Sequence, residues 1–462
     1  MKAGSTLIVS FDGLRRDRAT PELMPNLAAF MASGTDFVKS RSVFPSETRV
    51  AVTSTATGCW PATHGLVANQ FLHPVVKDRL FNTASAADLA AAAEAGQLID
   101  VPSIAARLAA AGKVMAVVST ATPGATRMMN PDAARLGHPV YSVHAPPVST
   151  EAEWAQAEAM LGPIPAFATP NGARLNYAVD LLTKLCWPTH DPDLCLMWFN
   201  DPDMTSHGYG THGAETAEAQ RQADLAFARV VEWWRSGQGP ENLMVMSDHG
   251  QITGLREVDV AALLPQWQGR VSPGALTGIW LREDEDLTEA VEWLSKQWFT
   301  GLIFADGVEA ALPWSLTGNG HKRGPSLGFS LRADLPGAEI DGCLFPGHVP
   351  IGGGYHGGPQ LREVSTVLAG AGPGFRQAYV SETPCWLPDI GPTALHLLGV
   401  EQTGCGGRAL LEGLAGGAEP PPVARQTHSR RLGSYEQHLS TFTVAGRTFI
   451  DSGWSRSDQD WL

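Results

Sequence analysis

Three short apolar runs in the chain are each followed at once by polar, chemically useful side chains. Thr6–Phe11 (TLIVSF) leads into Asp12-Gly13, residues 193–199 (DLCLMWF) lead into Asn200-Asp201-Pro202-Asp203, and residues 243–246 (LMVM) lead into Ser247-Asp248-His249-Gly250. All-apolar runs of this length are the habit of strands buried on both faces, as in parallel sheets. Between them the pattern changes to a helical period. Residues 102–111 end at Gly112, residues 174–186 are amphipathic, residues 214–236 stop at Gly237, and the Ala-rich stretch 85–96 predicts a further helix. Strands alternating with helices predict an α/β fold, a doubly wound and mostly parallel sheet sandwiched by helices. Ligands of such sheets bind beyond the carboxyl ends of the strands. Asp12, Asp203, Asp248 and His249 are therefore expected along one edge.

Residues 251–350 separate Asp248-His249 from the glycine-rich stretch around His356 and carry their own strand and helix patterns, such as residues 286–297. They read as an inserted cap subdomain, leaving residues 1–250 and 351–412 as the core. Residues 414–425 (LAGGAEPPPVAR) have linker composition. Residues 441–450 predict a hairpin turning at Ala445-Gly446, so residues 413–462 read as a linker and C-terminal hairpin extension.

Charge and cysteine content narrow the class. The 462 residues include 33 basic and 47 acidic ones, a net charge of −14. That balance argues against a protein that binds nucleic acid polymers or membrane surfaces. No run of apolar residues is long enough to predict a membrane span. The N-terminal apolar stretch is short and lacks a small-residue cleavage site, so it is read as the first strand rather than a leader. Six scattered cysteines without a C-x-x-C pair suggest reduced thiols in a cytoplasmic protein.

The candidate chemistry lies in carboxylates and histidines. Asp203 and His207 are four residues apart, which places both on one face of a helical turn. Asp191, Asp193, Asp201 and His212 lie nearby and read as solvated side chains. His356 sits among Gly352, Gly353, Gly354, Gly357 and Gly358, where backbone can approach a ligand closely. Together Asp12, Asp203, Asp248, His207, His249 and His356 offer the mixed oxygen and nitrogen donors that suit zinc, with manganese or iron as poorer fits. Two such ions a few ångströms apart can clamp the attacking and leaving oxygens of an in-line displacement at phosphorus. Thr48 stands where a loop after Pro45 turns into a helical stretch ending at Gly58. It is readable as a residue at an anion-binding helix N-terminus or as a plain cap. His64 reads as structural, and His73, His138, His190, His321 and His348 show no ligand-like spacing.

The residues FDG at the first strand, the stretch 48–69 with TGCWPATHG inside it, PDMTSH ending at His207, SDHG at Asp248 and YHGG at His356 occur in that order. In this the chain resembles the type I phosphodiesterase/nucleotide pyrophosphatase family of the alkaline phosphatase superfamily. The resemblance runs from Thr6 to about Gly358 and weakly to Gly399, where DIGPTALHLLG looks like the family's closing helix. It implies an alkaline phosphatase-like fold with one zinc on Asp12, Thr48, Asp248 and His249 and another on Asp203, His207 and His356. It implies Thr48 as a zinc-bound nucleophile that forms a phospho-threonine intermediate, and Asn69 as the donor to a non-bridging phosphoryl oxygen. The expected function is hydrolysis of a small-molecule phosphodiester or pyrophosphate.

Two positions depart from the family. Nucleotide-cleaving members commonly carry an aromatic residue after the nucleophile, where this chain has Arg49. Trp198 stands five before Asp203, where those members often have a tyrosine. Trp198 reads either as a wall for stacking or as a strand-end core residue. Arg49 reads either as a partner for a second anionic group on the substrate or as a solvated helix residue. Both leave phosphonoacetate hydrolase-like or phosphate monoester chemistry as alternatives at the same site. The absence of C/S-x-P-x-R around Pro45 argues against a sulfatase. A zinc-stabilised binding protein is the non-enzymatic alternative, and the presence of Thr48 and Asn69 argues against it.

Overall fold

The computed structural model describes residues 2–144, 151–333 and 341–456. Its centre is an eight-stranded sheet in the order Tyr379–Ser381, Thr35–Phe37, Leu368–Ala371, Asn242–Met246, Thr6–Phe11, Leu194–Phe199, Met115–Ser119 and Val140–Ser142. Only Leu368–Ala371 runs against its neighbours. Every other pairing in the sheet is parallel. The alternation of side chains along a strand divides these all-apolar segments between two layers. Ile8, Leu196, Trp198, Met244 and Met246 pack into one apolar layer, whereas Leu7, Val9, Phe11, Met197 and Val245 pack into the other. Both layers are closed by helices, giving the α/β sandwich expected of the sequence.

Helix ends follow their local chemistry. Ser85 and Ser103 accept from backbone N–H groups at the starts of Ala86–Glu94 and Ile104–Ala110. The long helix Ala214–Arg235 buries Ala223, Phe227 and Val230 against the sheet. The helix expected over 174–186 begins earlier, as Gly172–Asp180, and widens into a π-type stretch at Leu181–Cys186 before Trp187–His190. Pro188 has no N–H to continue the regular ladder there.

Residues beyond Gly250 build a second, antiparallel sheet from Val271–Ser272, Leu276–Ile279, Leu327–Leu331 and Thr300–Phe304. The helix Leu287–Ser295, capped by Asp286, covers it over a separate apolar cluster. The chain returns through Gly354–Tyr355, which pairs antiparallel with Ile252–Glu257. Because Tyr355 pairs with Ile252, His356 comes back beside His249.

The C-terminal pairing is larger than a hairpin. Tyr435–Val444 and Arg447–Arg456 do turn at Ala445-Gly446, but Val423–Leu432 adds a third strand. Residues 423–425 therefore belong to a strand and not to a linker. This strand is almost wholly exposed and rich in arginine, so it shows none of the alternation that marks a half-buried strand. The sheet ties the two parts together. Tyr435 donates to the Gly301 carbonyl at 2.6 Å, and Arg41 pairs with Asp451 at 2.8 Å. No helix among the described residues is long and apolar enough to cross a membrane.

Candidate active site

The carboxyl ends of three adjacent strands meet at one point. Asp12 follows Thr6–Phe11, Asp248 and His249 follow Asn242–Met246, and Asp203 opens the helix Asp203–Tyr209 just beyond Leu194–Phe199. His207 lies one turn further along that helix. Gly13 makes the approach close: at φ +65°, a Cβ on it would stand 2.8 Å from Asp203 Cβ. Its N–H donates to Asp248 Oδ1 at 3.0 Å, and Asp203 N–H donates to the Asp12 carbonyl at 3.0 Å. Thr48 is the first residue of the helix Thr48–Thr57, behind an extended Glu47 that supplies no side-chain cap.

These side chains form two groups, Asp12 with Asp248 and His249, and Asp203 with His207 and His356, in each of which the donor atoms lie within 4.8 Å of one another. His249 Nε2 lies 3.1 Å from Thr48 Oγ1, 3.2 Å from Asp248 Oδ2 and 3.6 Å from Asp12 Oδ1. His207 Nε2 is 3.3 Å from Asp203 Oδ2, and His356 Nε2 is 3.7 Å from Asp203 Oδ1. The groups adjoin, because the rings of His249 and His356 stack at 3.7 Å. All seven residues expected to hold metal are thus at one place.

The donor set fits cations. Asp12 Oδ1 and Asp248 Oδ2 are buried without a hydrogen-bond partner, an expensive arrangement for a carboxylate unless positive charge sits beside it. Burial and the neighbouring carboxylates push Asp12 well above the usual range, and burial pushes Asp248 up to about 7. Asp203 is also buried, yet His207, His356 and His249 hold it below its ordinary value. Burial lowers His249 to about 4 and His356 to about 3, keeping both imidazoles neutral as ligation requires. Burial opposes the charging of His207 as well, but Asp203 outweighs it and raises its pKa.

The outward nitrogens are fixed by backbone. His207 Nδ1 meets the Gly354 carbonyl at 2.8 Å, His356 Nδ1 the Ser46 carbonyl at 2.8 Å, and His249 Nδ1 the Gly250 carbonyl at 3.1 Å. Each fixes Nε2 as the nitrogen that faces the cluster. Gln251 donates to Asp203 Oδ1 and is itself held by Ser206. No spacing in the sequence marks Gln251; only its position two residues after His249 hints at its place.

Trp198 is not a stacking wall. It is fully buried in the core, and its indole N–H donates to Asp12 Oδ2 at 2.9 Å. Odd and even strand positions face opposite layers, and Trp198 falls on the inward set. Its role is to orient Asp12. Trp198→Phe is expected to weaken metal binding by about tenfold, with a stability cost of about 1 kcal/mol. Calorimetric metal titration of both proteins checks the first figure and urea unfolding the second.

Glu363 was not marked by any motif. It accepts from the Gly358 N–H at 2.9 Å and so fixes the loop that carries His356. Burial pushes its carboxyl up to about 8. A carboxyl with a raised folded pKa stabilises the fold below its unfolded value of about 4.3, and the benefit fades as pH rises towards 8. Glu363→Gln removes the titration while keeping an acceptor. Its stability relative to the wild type is expected to improve by on the order of 3 kcal/mol between pH 5 and pH 8, read by urea unfolding at both. An unchanged difference would place the charge elsewhere.

Thr48 opens onto a cavity of about 300 Å³, lined on the core side by Asp12, Arg49, Asn69, Asp203, His207 and His356. The inserted segment supplies Ser272, Pro273, Gly274 and His348 to its wall, and Ser272 Oγ donates to the Gln70 carbonyl at 2.8 Å. His348 is in place only because the fold returns it to the site. Asn69 is held from both sides of Thr48: its N–H donates to Glu47 Oε2 at 2.6 Å, and its Oδ1 accepts from Arg49 at 3.3 Å. Burial raises Glu47 to about 7 and lowers Arg49. Asp191, Asp193, Asp201 and His212 stay outside the cluster. Asp201 accepts from Thr205 and Asn171, and His212 pairs with Asp341. His64 is buried against Ser54, as its structural reading requires.

Comparison with known proteins places this arrangement. Two structures of murine ectonucleotide pyrophosphatase/phosphodiesterase 5 share the fold. One, an inactive form in complex with AMP, aligns with TM-score 0.63 and 17% identity over 89% of this chain and 100% of that one. The other aligns with TM-score 0.59 and 18% identity over 86% and 95%. Human ectonucleotide pyrophosphatase/phosphodiesterase family member 7 is 27% identical over 254 residues, 54% of this chain and 48% of that protein. The bis(5'-adenosyl)-triphosphatase enpp4 of Xenopus laevis is 39% identical over 64 residues, 14% of each. The matches thus span half or less of these two relatives. The family model for type I phosphodiesterase / nucleotide pyrophosphatase matches residues 6–298, the larger part of the chain and every cluster residue except His356. The chain belongs to the type I phosphodiesterase/nucleotide pyrophosphatase family.

Proposed function

We propose that this chain is a two-metal phosphoric diester hydrolase in which Thr48 is the nucleophile. The reading rests on one observation: Thr48 Oγ1, at the N-terminus of a ten-residue helix, lies 3.1 Å from His249 Nε2 and faces a cavity bordered by both donor groups. Two divalent cations, zinc by the character of the donors, would be held by Asp12, Thr48, Asp248 and His249 and by Asp203, His207 and His356, favouring the Thr48 alkoxide and screening charge on the phosphorus oxygens. Thr48 Oγ attacks phosphorus and the leaving alcohol departs, giving a phospho-threonine. Water then cleaves the new P–O bond and restores the hydroxyl. Asn69, its carbonyl oxygen turned to Arg49, offers its amide N–H groups to a non-bridging oxygen, and the first N–H groups of the Thr48 helix share that role.

The substrate class is a small phosphodiester or pyrophosphate. A cytoplasmic setting suits the six cysteines, all of them free. Turnover of bis-p-nitrophenyl phosphate, p-nitrophenyl phosphate and phosphonoacetate by the zinc-loaded protein tests the class. Preference for the diester is the expected result. Preference for either of the others overturns the diester reading, and no turnover of any revives the binding protein.

A further inference from the structure

We infer that Arg49 forms a second anion subsite beside Thr48, so that the preferred substrate carries another anionic group, a carboxylate or a second phosphoryl, within a few atoms of the reacting phosphorus. This rests on the hydrolase reading above and adds the substrate's charge pattern to it.

Arg49 is the only lysine or arginine among the described residues lining the cavity. Its guanidinium is confined on one side by Gly124 of the helix Pro123–Met129, where a Cβ would stand 3.1 Å from Nε, and on the other by Asn69. Nε is buried and has no hydrogen-bond partner. Among the described residues no carboxylate lies within 4.0 Å of the guanidinium. Glu47, the acid two residues away, turns Oε2 to the Asn69 N–H instead. One neutral amide oxygen is poor compensation for a guanidinium whose Nε is buried without a partner. An anion arriving with the substrate completes the pairing, and the forked donors suit a carboxylate or phosphoryl group.

Among the described residues the lining contains no phenylalanine or tryptophan, and Tyr355 is its one phenol ring. Trp198, the residue that the sequence offers as a stacking wall, is committed to Asp12. With Arg49 as the one lysine or arginine of that wall among the described residues, the site is suited to reading negative charge close to phosphorus.

The test is direct binding, independent of turnover. Calorimetric titrations of the zinc-loaded protein would compare phosphonoacetate, methylenediphosphonate and propylphosphonate, which share one phosphonate and differ in the group two bonds away. The expected result is that at least one of the two probes with a second anionic group binds about tenfold or more tightly than propylphosphonate. Which of them binds better separates a carboxylate from a phosphoryl partner. Arg49→Gln should bring the preference down to about one, and Arg49→Lys should restore part of it. Thermal unfolding and circular dichroism identify a variant that has merely misfolded, in which case the lysine variant carries the comparison. Equal binding of all three probes by the wild type overturns the proposal. A preference that survives in Arg49→Gln is chelation by the metals and overturns it equally. If the preference is present but no diester is hydrolysed, the hydrolase reading fails while the subsite stands.

Discussion

Thr48→Ala is expected to lower kcat/KM for bis-p-nitrophenyl phosphate by on the order of 10,000-fold, the scale on which removal of a nucleophile from a preorganised site acts. Metal content should remain close to that of the wild type, because Asp12, Asp248 and His249 still supply three donors to one group and the other group does not involve Thr48. Thr48→Ser should keep activity within about a hundredfold, since the hydroxyl survives and only the methyl that restrains its rotamer is lost. Steady-state kinetics with metal analysis of each preparation separates the cases. Undiminished turnover by Thr48→Ala would remove the nucleophile from the proposal, whereas loss of both metal and activity would make Thr48 a ligand alone.

Removal of the metals is the second large effect. Without cations the cluster leaves three aspartates facing one another, with Asp12 Oδ1 and Asp248 Oδ2 buried and unpartnered. Exhaustive dialysis against a chelator is expected to reduce activity to about 1% or less, and zinc should restore it. Stability should change with it. A ligand that binds only the folded state at about a thousand times its dissociation constant adds about 4 kcal/mol, so the Tm should rise by several degrees on reloading. Asp203→Asn tests the second group alone, because Asp203 lies within 3.7 Å of both His207 and His356 and one neutral amide cannot serve both. A chelated protein with full activity and an unchanged Tm would contradict the two-metal reading.

The half of the site that lies on strand ends was legible because parallel strands buried on both faces write themselves as unbroken apolar runs, and the polar residues that follow within a few positions gather at the sheet edge. Asp12, Asp203 and Asp248 are found that way. His356 needed its motif, since nothing in a short glycine-rich strand predicts that Tyr355 pairs with Ile252 and returns the next residue to His249. His348 and Ser272 were not legible, because they reach the cavity only through the inserted segment's own fold. Trp198 was placed on the right strand with two readings open. Its register decided between them, since the ring enters the apolar layer and the indole N–H reaches Asp12. The strand Val423–Leu432 was read partly as linker because hydrophobic periodicity records burial, and an exposed edge strand has little to record.

Nucleophilic attack by Thr48 is the centre of the account, and stereochemistry at phosphorus tests it most directly. A chiral methyl p-nitrophenyl phosphorothioate, hydrolysed by the metal-loaded protein in oxygen-18 water, gives a product whose configuration counts the displacements. Two in-line displacements, first by Thr48 and then by water, predict net retention. Net inversion would mean that water attacks phosphorus directly, and would contradict the role assigned to Thr48.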